Sequence, residues 1–505
     1  MTARIPAVSA QVHKTVTVTS PPNLETNDRA AGIGVLATAC ISTFVVNANT
    51  SAVAILLPSI SEDTNTDIST LQWAVTGYML VGAAFIVTSG ALGDVFGRRK
   101  TFLGGLFLFV ASCILIALST TGTGVIVGRC IQGAAGCTLV AGGLSVLTIA
   151  TSGTERLRAV SYWGAATAIG AAAGPLVGGV LVETVSWQAL FWIDAVIAAI
   201  CIPITLKSVE ESLDPTRPRS IDWLGTVLVA AILAPLILGL TEGPDWGWTS
   251  GKTIGCFIVS VVAVFAFVYA ERRSPAPLVD LALMRNKLLI GSTIGILIGA
   301  GTINGLMYVV SLYFQNPATL DMNALETGLA TIPATLGLVL LSPVVPKLAQ
   351  KFGSRLVIAV GFALSTVGFA VLVVTEESWR YAAFVIPLLV VAAGLALSNG
   401  PCSSIATSSV PAGQVGSASG VSNMARYVGG SVMTAIVGAI YFSGSPENGE
   451  DLAKGFSRAA LALTIVSAAG IVLAMVAARN HTPQPAPAEK VAAAASGAHT
   501  LAPTP

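Results

Sequence analysis

The stretch Gly90-Ala91-Leu92-Gly93-Asp94-Val95-Phe96-Gly97-Arg98-Arg99-Lys100 closes one long apolar run and opens the next. A second version, Pro346-Lys347-Leu348-Ala349-Gln350-Lys351-Phe352-Gly353-Ser354-Arg355, stands 256 residues downstream. Leu92, Phe96, Gly97 and Arg99 recur in register as Leu348, Phe352, Gly353 and Arg355. A tight basic turn repeated in this way is the mark of a duplicated helical bundle. Outward from these turns, apolar segments begin near Ile33, Leu71, Phe102, Gly124, Ala159, Trp187, Trp223, Thr253, Leu288, Thr327, Leu356, Tyr381, Val415 and Ser457. Each approaches the roughly 20 residues needed to cross a bilayer core. The expectation is an all-α integral membrane protein with 14 transmembrane helices. Residues 32–206 and 288–478 form two six-helix bundles, and 207–287 hold an inserted central helical pair with cytoplasmic flanking loops. The inserted pair, Trp223 to Leu240 and Thr253 to Ala270, lacks the stripe of Lys and Arg that a surface-lying helix carries, so it reads as spanning. Residues 1–31 and 479–505 read as disordered cytoplasmic tails.

Composition agrees. Of 505 residues, 54% are hydrophobic and 10% charged, against roughly 25% charged in a soluble domain. That excludes a conventional soluble enzyme, and a net charge of +1 gives no reason to expect a nucleic-acid partner. The small total hides an asymmetry. Assigning the tails and alternate loops to one side places 20 Lys or Arg there, Arg156, Arg272 and Lys347 among them, and four on the other. The basic side is the expected cytoplasmic side of a cell membrane, with both termini on it.

Other chemistries find no foothold. Gly251-Lys252-Thr253 lacks the glycine of a phosphate loop, since Trp246 stands in its place. The histidines, His13, His481 and His499, all lie in the tails, so neither a metal site nor a cofactor is expected. The seven cysteines form no Cys-x-x-Cys pair and read as small apolar residues.

The joint pattern resembles the major facilitator superfamily, specifically its fourteen-helix drug/proton antiporter branch, from the first span to the last. Gly90 to Lys100 resembles that family's loop motif, and Arg129 with Gln132-Gly133 its fourth-helix motif. Gly170, Gly174, Pro175, Gly178 and Gly179 resemble its antiporter motif, and Trp187 to Phe191 the start of its sixth helix. Asp222-Trp223-Leu224-Gly225, Glu242 to Trp248 and Glu271 to Pro275 resemble the branch's inserted hairpin. The resemblance implies a secondary active exporter of a small amphipathic compound or drug, alternating access between two bundles, exchanging substrate for protons and working as a monomer. An uncoupled facilitator or importer is the first alternative, and a transport-dead membrane sensor a remote one.

Residue chemistry gives the motifs separate tasks. For the loop motif, Gly90, Asp94, Gly97, Arg98, Arg99 and Lys100, the resemblance implies a conformational latch, and Asp94 is placed to pair with the arginines and to face the positive end of the helix beginning near Val415. Gly170, Gly174 and Gly178, four apart, line one face and admit a close helix neighbour. Charges within spans are costly and mark function, and three occur: Arg129, Asp194 and Arg426. Arg129 and Asp194 lie at matching depths, about 9 and about 10 Å inside the ends of their helices. That depth permits an ion pair and makes both coupling candidates. Members of the branch often carry an acid on the first helix, where this chain has Asn49. An amide cannot titrate, so Asp194 is expected to take over coupling while Asn49 reads substrate. Asn49, Tyr78, Asn304, Tyr308, Asn399, Asn423 and Arg426 are the candidate cavity residues, and the permanent cation of Arg426 favours anionic or polar neutral compounds.

Overall fold

The computed structural model describes residues 23–477 apart from 152, 213–220, 275–276, 280, 282, 342, 412–413 and 444–448. The expected C-terminal tail, the three histidines and residues 1–22 of the expected N-terminal tail lie outside the described residues.

Among the described residues, seventeen α-helices follow one another. The first seven are α1 (Asn23–Thr64), α2 (Ile68–Leu71), α3 (Trp73–Phe96), α4 (Arg98–Ala117), α5 (Gly122–Ala150), α6 (Gly153–Thr184) and α7 (Gln188–Ser208). The inserted pair is α8 (Trp223–Trp246) and α9 (Gly251–Glu271). The remainder are α10 (Lys287–Gln315), α11 (Ala324–Ala330), α12 (Ile332–Leu341), α13 (Val345–Phe352), α14 (Ser354–Leu372), α15 (Tyr381–Ser408), α16 (Val415–Tyr441) and α17 (Gly449–Ala477). Among the described residues there is no strand.

Among the described residues, thirteen helical stretches are long and apolar enough to cross a membrane, with α2 and α3 forming one stretch and α11 and α12 another. The expected thirteenth span, α16, is 27 residues long but falls outside that set. Its sequence explains the shortfall: Ser417, Ser419, Ser422, Asn423 and Arg426 sit among glycines in its first half.

Packing is strongest between α1 and α6, α3 and α5, and α4 and α5 in one half, and between α10 and α16 and α14 and α15 in the other. The repeated turn is repeated in three dimensions. Gly97, between α3 and α4, has φ 106° and ψ 135°, and Gly353, between α13 and α14, has φ 84° and ψ 139°. Only glycine tolerates this region readily, which accounts for the echo at those two positions. The hairpin α8–α9 leans on the seam between the halves. Val229, Leu233 and Ile237 of α8 join one apolar cluster with Leu80, Ala83 and Ala84 of α3 and Val421 and Ala435 of α16. The hydroxyls of Thr88 and Thr226 meet at 2.5 Å beside that cluster.

Other contacts between the halves gather at the end away from the Gly97 turn. Ser311 Oγ donates to the Ala54 carbonyl at 2.7 Å and Gln315 Nε2 to the Ile55 carbonyl at 3.2 Å. Gln72 Nε2 donates to the Thr434 carbonyl at 2.9 Å. The same end is tied within the first half by Trp187 and Gln188, whose side chains donate to Asp63 at 2.8 and 3.1 Å.

Candidate functional site

Helices α1, α3, α5 and α7 bring four polar side chains together inside the first half. Asn49 is 0% exposed, Arg129 0%, Gln132 0% and Asp194 4%. Asn49 Nδ2 donates to Asp194 Oδ2 at 2.7 Å, and Asn49 Oδ1 accepts from Arg129 at 2.5 Å. Arg129 also donates to the Ala74 carbonyl at 3.0 Å and to Gln132, and it stacks on the Tyr78 ring at 4.2 Å. Gln132 in turn donates to Cys113 Sγ at 3.0 Å. The expected direct pair of Arg129 with Asp194 is therefore corrected: the amide of Asn49 stands between the two charges, donor toward the acid and acceptor toward the cation. The depth argument carried no information on what separates the two charges laterally. The cysteines are free, and Cys113 is a hydrogen-bond acceptor rather than simply an apolar filler.

A buried ion without compensation costs several kcal/mol. Here the guanidinium is matched by a carbonyl, two amide oxygens and a ring face, so its charge is tolerated without a carboxylate in contact. Asp194 is less well served, with a single side-chain donor from Asn49. A carboxylate held by one amide in an apolar wall is a group whose protonation is easily tied to conformation.

The glycines of the antiporter-type motif are packing devices on two fronts. A Cβ on Gly170 would strike the Phe44 carbonyl of α1, and one on Gly174 the Ala48 carbonyl and Ser51. Gly178 faces Ala52, where a Cβ would stand 3.1 Å from its methyl. Gly179 points the other way, against the Ala324 carbonyl of α11, and the carbonyl of Pro175 lies 2.5 Å from where a Cβ of Gly328 would be. This motif thus holds α6 on α1 with one face and closes the two halves with the other. The second contact could not be read from a four-residue spacing.

At the opposite end, Asp94 accepts from Arg98 Nη2 at 2.9 Å and Nε at 3.3 Å. Arg99 donates to the Leu206 carbonyl at 2.5 Å, and its backbone N–H to Glu211 at 3.2 Å. Lys100 is exposed and Gly90 faces open space.

The remaining cavity candidates divide. Tyr78 and Tyr308 are 0% and 1% exposed and belong to the packed core rather than to an open wall. Asn304 donates to the Ala300 carbonyl at 2.8 Å and Asn423 to the Ser419 carbonyl at 3.0 Å, each bonding back along its own helix. Asn399 is half-buried with Oδ1 lacking a partner. Arg426 is exposed and donates to Ser403 Oγ at 3.4 Å.

Residues 39–434 match the family described as the Major Facilitator Superfamily. The chain belongs to this superfamily. It is a multi-pass membrane transporter rather than an enzyme, and its relatives include proteins named for drug resistance, drug efflux or antibiotic export. The tetracenomycin C resistance and export protein of Streptomyces glaucescens is 29% identical over 414 residues, covering 82% of this chain and 75% of that one. The multidrug resistance protein Stp of Mycobacterium tuberculosis is 30% identical over 399 residues, covering 79% and 73%. The cephamycin export protein CmcT of Amycolatopsis lactamdurans is 28% identical over 449 residues, covering 87% and 91%. Among solved structures, a crystal structure of the peptide transporter POT in complex with sulfate aligns with TM-score 0.65 at 18% identity, over 88% of this chain and 95% of that one. That likeness concerns the superfamily fold alone.

Proposed function

We propose that this transporter exports a small amphipathic compound across the cell membrane in exchange for protons, alternating access between two six-helix bundles joined by the inserted hairpin. All fourteen segments span in this reading, α16 included, because it packs against both α10 and α3. The basic loops and both termini are cytoplasmic, as the distribution of Lys and Arg argues. In this reading the hydrogen bonds of Ser311, Gln315 and Gln72 between the halves close the outer end.

The observation that carries this reading is the chain Asp194–Asn49–Arg129, sealed from solvent at a site where charge is expensive. Asp194 is the proton carrier. When it is ionised, Asn49 relays its charge to Arg129; when it is protonated, the amide has less reason to hold that orientation, and α1 is released from α7 and α5. Helix α1 also carries the Ala54 and Ile55 carbonyls that bind α10. Proton binding is thereby linked to the contacts that close the outer end. Asp94 with Arg98 forms the cytoplasmic latch, and the wall holding Asn399, Asn423 and Arg426 receives substrate.

The test is flux in inside-out vesicles energised by a proton gradient and challenged with cationic, neutral and anionic compounds. Substrate-induced release of protons from the lumen supports antiport. Movement of a compound that ignores the gradient would favour the uncoupled facilitator.

A further inference from the structure

Three charged side chains lie deep in the spans, and they are not equally available. Arg129 and Asp194 are sealed and satisfied through Asn49, so neither offers its charge to a solute. Arg426 is exposed, and its side-chain hydrogen bond among the described residues is a long one, 3.4 Å, to Ser403. A guanidinium has five N–H donors in a planar fork, and most of this fork has nothing to bind.

Its location is the seam. The next residue, Tyr427, packs on α3 of the first half, with its ring 2.7 Å from where a Cβ of Gly82 would be. One turn further along α16, Gly430 faces Met79 of α3 and the Asn304 amide. On α15, Asn399 lies one turn from Ser403 and keeps an unpartnered Oδ1. Guanidinium, hydroxyl and amides thus share one wall, and among the described residues no carboxylate bonds to Arg426, Ser403 or Asn399.

We infer that Arg426 is the charge-reading residue of this wall and that the substrate is an organic anion, a carboxylate or an ionised phenol. An anionic oxygen pair fits the fork with two charge-assisted hydrogen bonds in a site of low dielectric. Asn399, whose oxygen is buried against Gly299, adds a neutral amide to the wall and no competing charge. A cationic compound meets repulsion from Arg426 and finds no countercharge, since position 49 is an amide. The inference rests on the exporter reading, but its test is a binding measurement independent of flux.

The purified full chain in nanodiscs is titrated with carboxyfluorescein, its methyl ester and ethidium, and binding is followed by fluorescence anisotropy. Wild type binds the carboxylate dye most tightly, the ester, which keeps an ionised phenol, less tightly, and ethidium least. Arg426→Gln weakens the carboxylate dye by about 10-fold or more, as expected for lost charged hydrogen bonds. Arg426→Lys keeps part of the affinity, which separates loss of charge from loss of fold, and Arg426→Glu turns the preference toward ethidium. Tighter binding of ethidium by wild type, no binding of the carboxylate dye, or the same affinity in Arg426→Gln overturns the inference. Arg426-dependent binding without outward flux in proteoliposomes would leave the anion site standing and count against the exporter.

Discussion

Asn49 and Asp194, 145 positions apart, are joined at 2.7 Å, and the same amide reaches Arg129 with its oxygen. An amide donates through its nitrogen and accepts through its oxygen, so this side chain satisfies an acid and a base at once. Replacing Asn49 with Asp puts two carboxylates against one arginine and removes the donor from Asp194. Asn49→Asp is expected to slow proton-driven transport by at least about 10-fold, the size of one lost charge-assisted hydrogen bond. The double variant Asn49→Asp with Asp194→Asn, which keeps one acid and one amide, should recover part of it. Initial rates of transport in vesicles check this.

The glycines of α6 give a graded stability series. Gly174→Ala drives a methyl into the Ala48 carbonyl and Ser51, whereas Gly164 on the same helix has nothing within 4 Å. Overpacking of the first kind costs about 1–3 kcal/mol, and Ala for an open helical glycine gains about 0.5–1 kcal/mol. Thermal unfolding in detergent should therefore move down for Gly174→Ala and slightly up for Gly164→Ala.

The paired turns make a similar comparison. Gly97→Ala and Gly353→Ala both force a side chain into a backbone region that costs about 1–3 kcal/mol. At Gly97 the new methyl would also collide with Glu211, while Gly353 faces open space. The first variant should lose more stability than the second in the same unfolding measurement.

Closure of the far end rests on few hydrogen bonds. Ser311→Ala and Gln72→Leu each remove one from a side chain to a carbonyl of the opposite half, worth about 0.5–1.5 kcal/mol apiece. Together they should shift the population toward the outward-open state by about 10-fold. Spin labels at the exposed positions Asp67 and Asp321 would show it as growth of a longer-distance population.

Much of this molecule was legible in its residues. Apolar run length found the helices, and the echo of Gly97 in Gly353 found the repeat, because positive φ leaves glycine as its signature in any sequence. The spacing of Gly170, Gly174 and Gly178 marked a face for close helix approach, since periodicity reports which residues share a face. It does not report what faces them, so the role of Gly179 against α11 had no trace. The Asn49 bridge was hidden for the same reason: three residues on three helices meet through packing, which leaves no spacing to read. The polar first half of α16 lowered its hydropathy below that of the other spans, and a site built on a helix obscures that helix as a span.

The central claim is that Asp194 carries the coupling proton. Asp194→Asn keeps shape and the hydrogen bond to Asn49 while removing titration. In inside-out vesicles energised with a proton gradient, compounds that make wild type release lumenal protons should release none through the variant, with binding of those compounds retained. Proton-driven transport by Asp194→Asn at the wild-type rate would contradict the account.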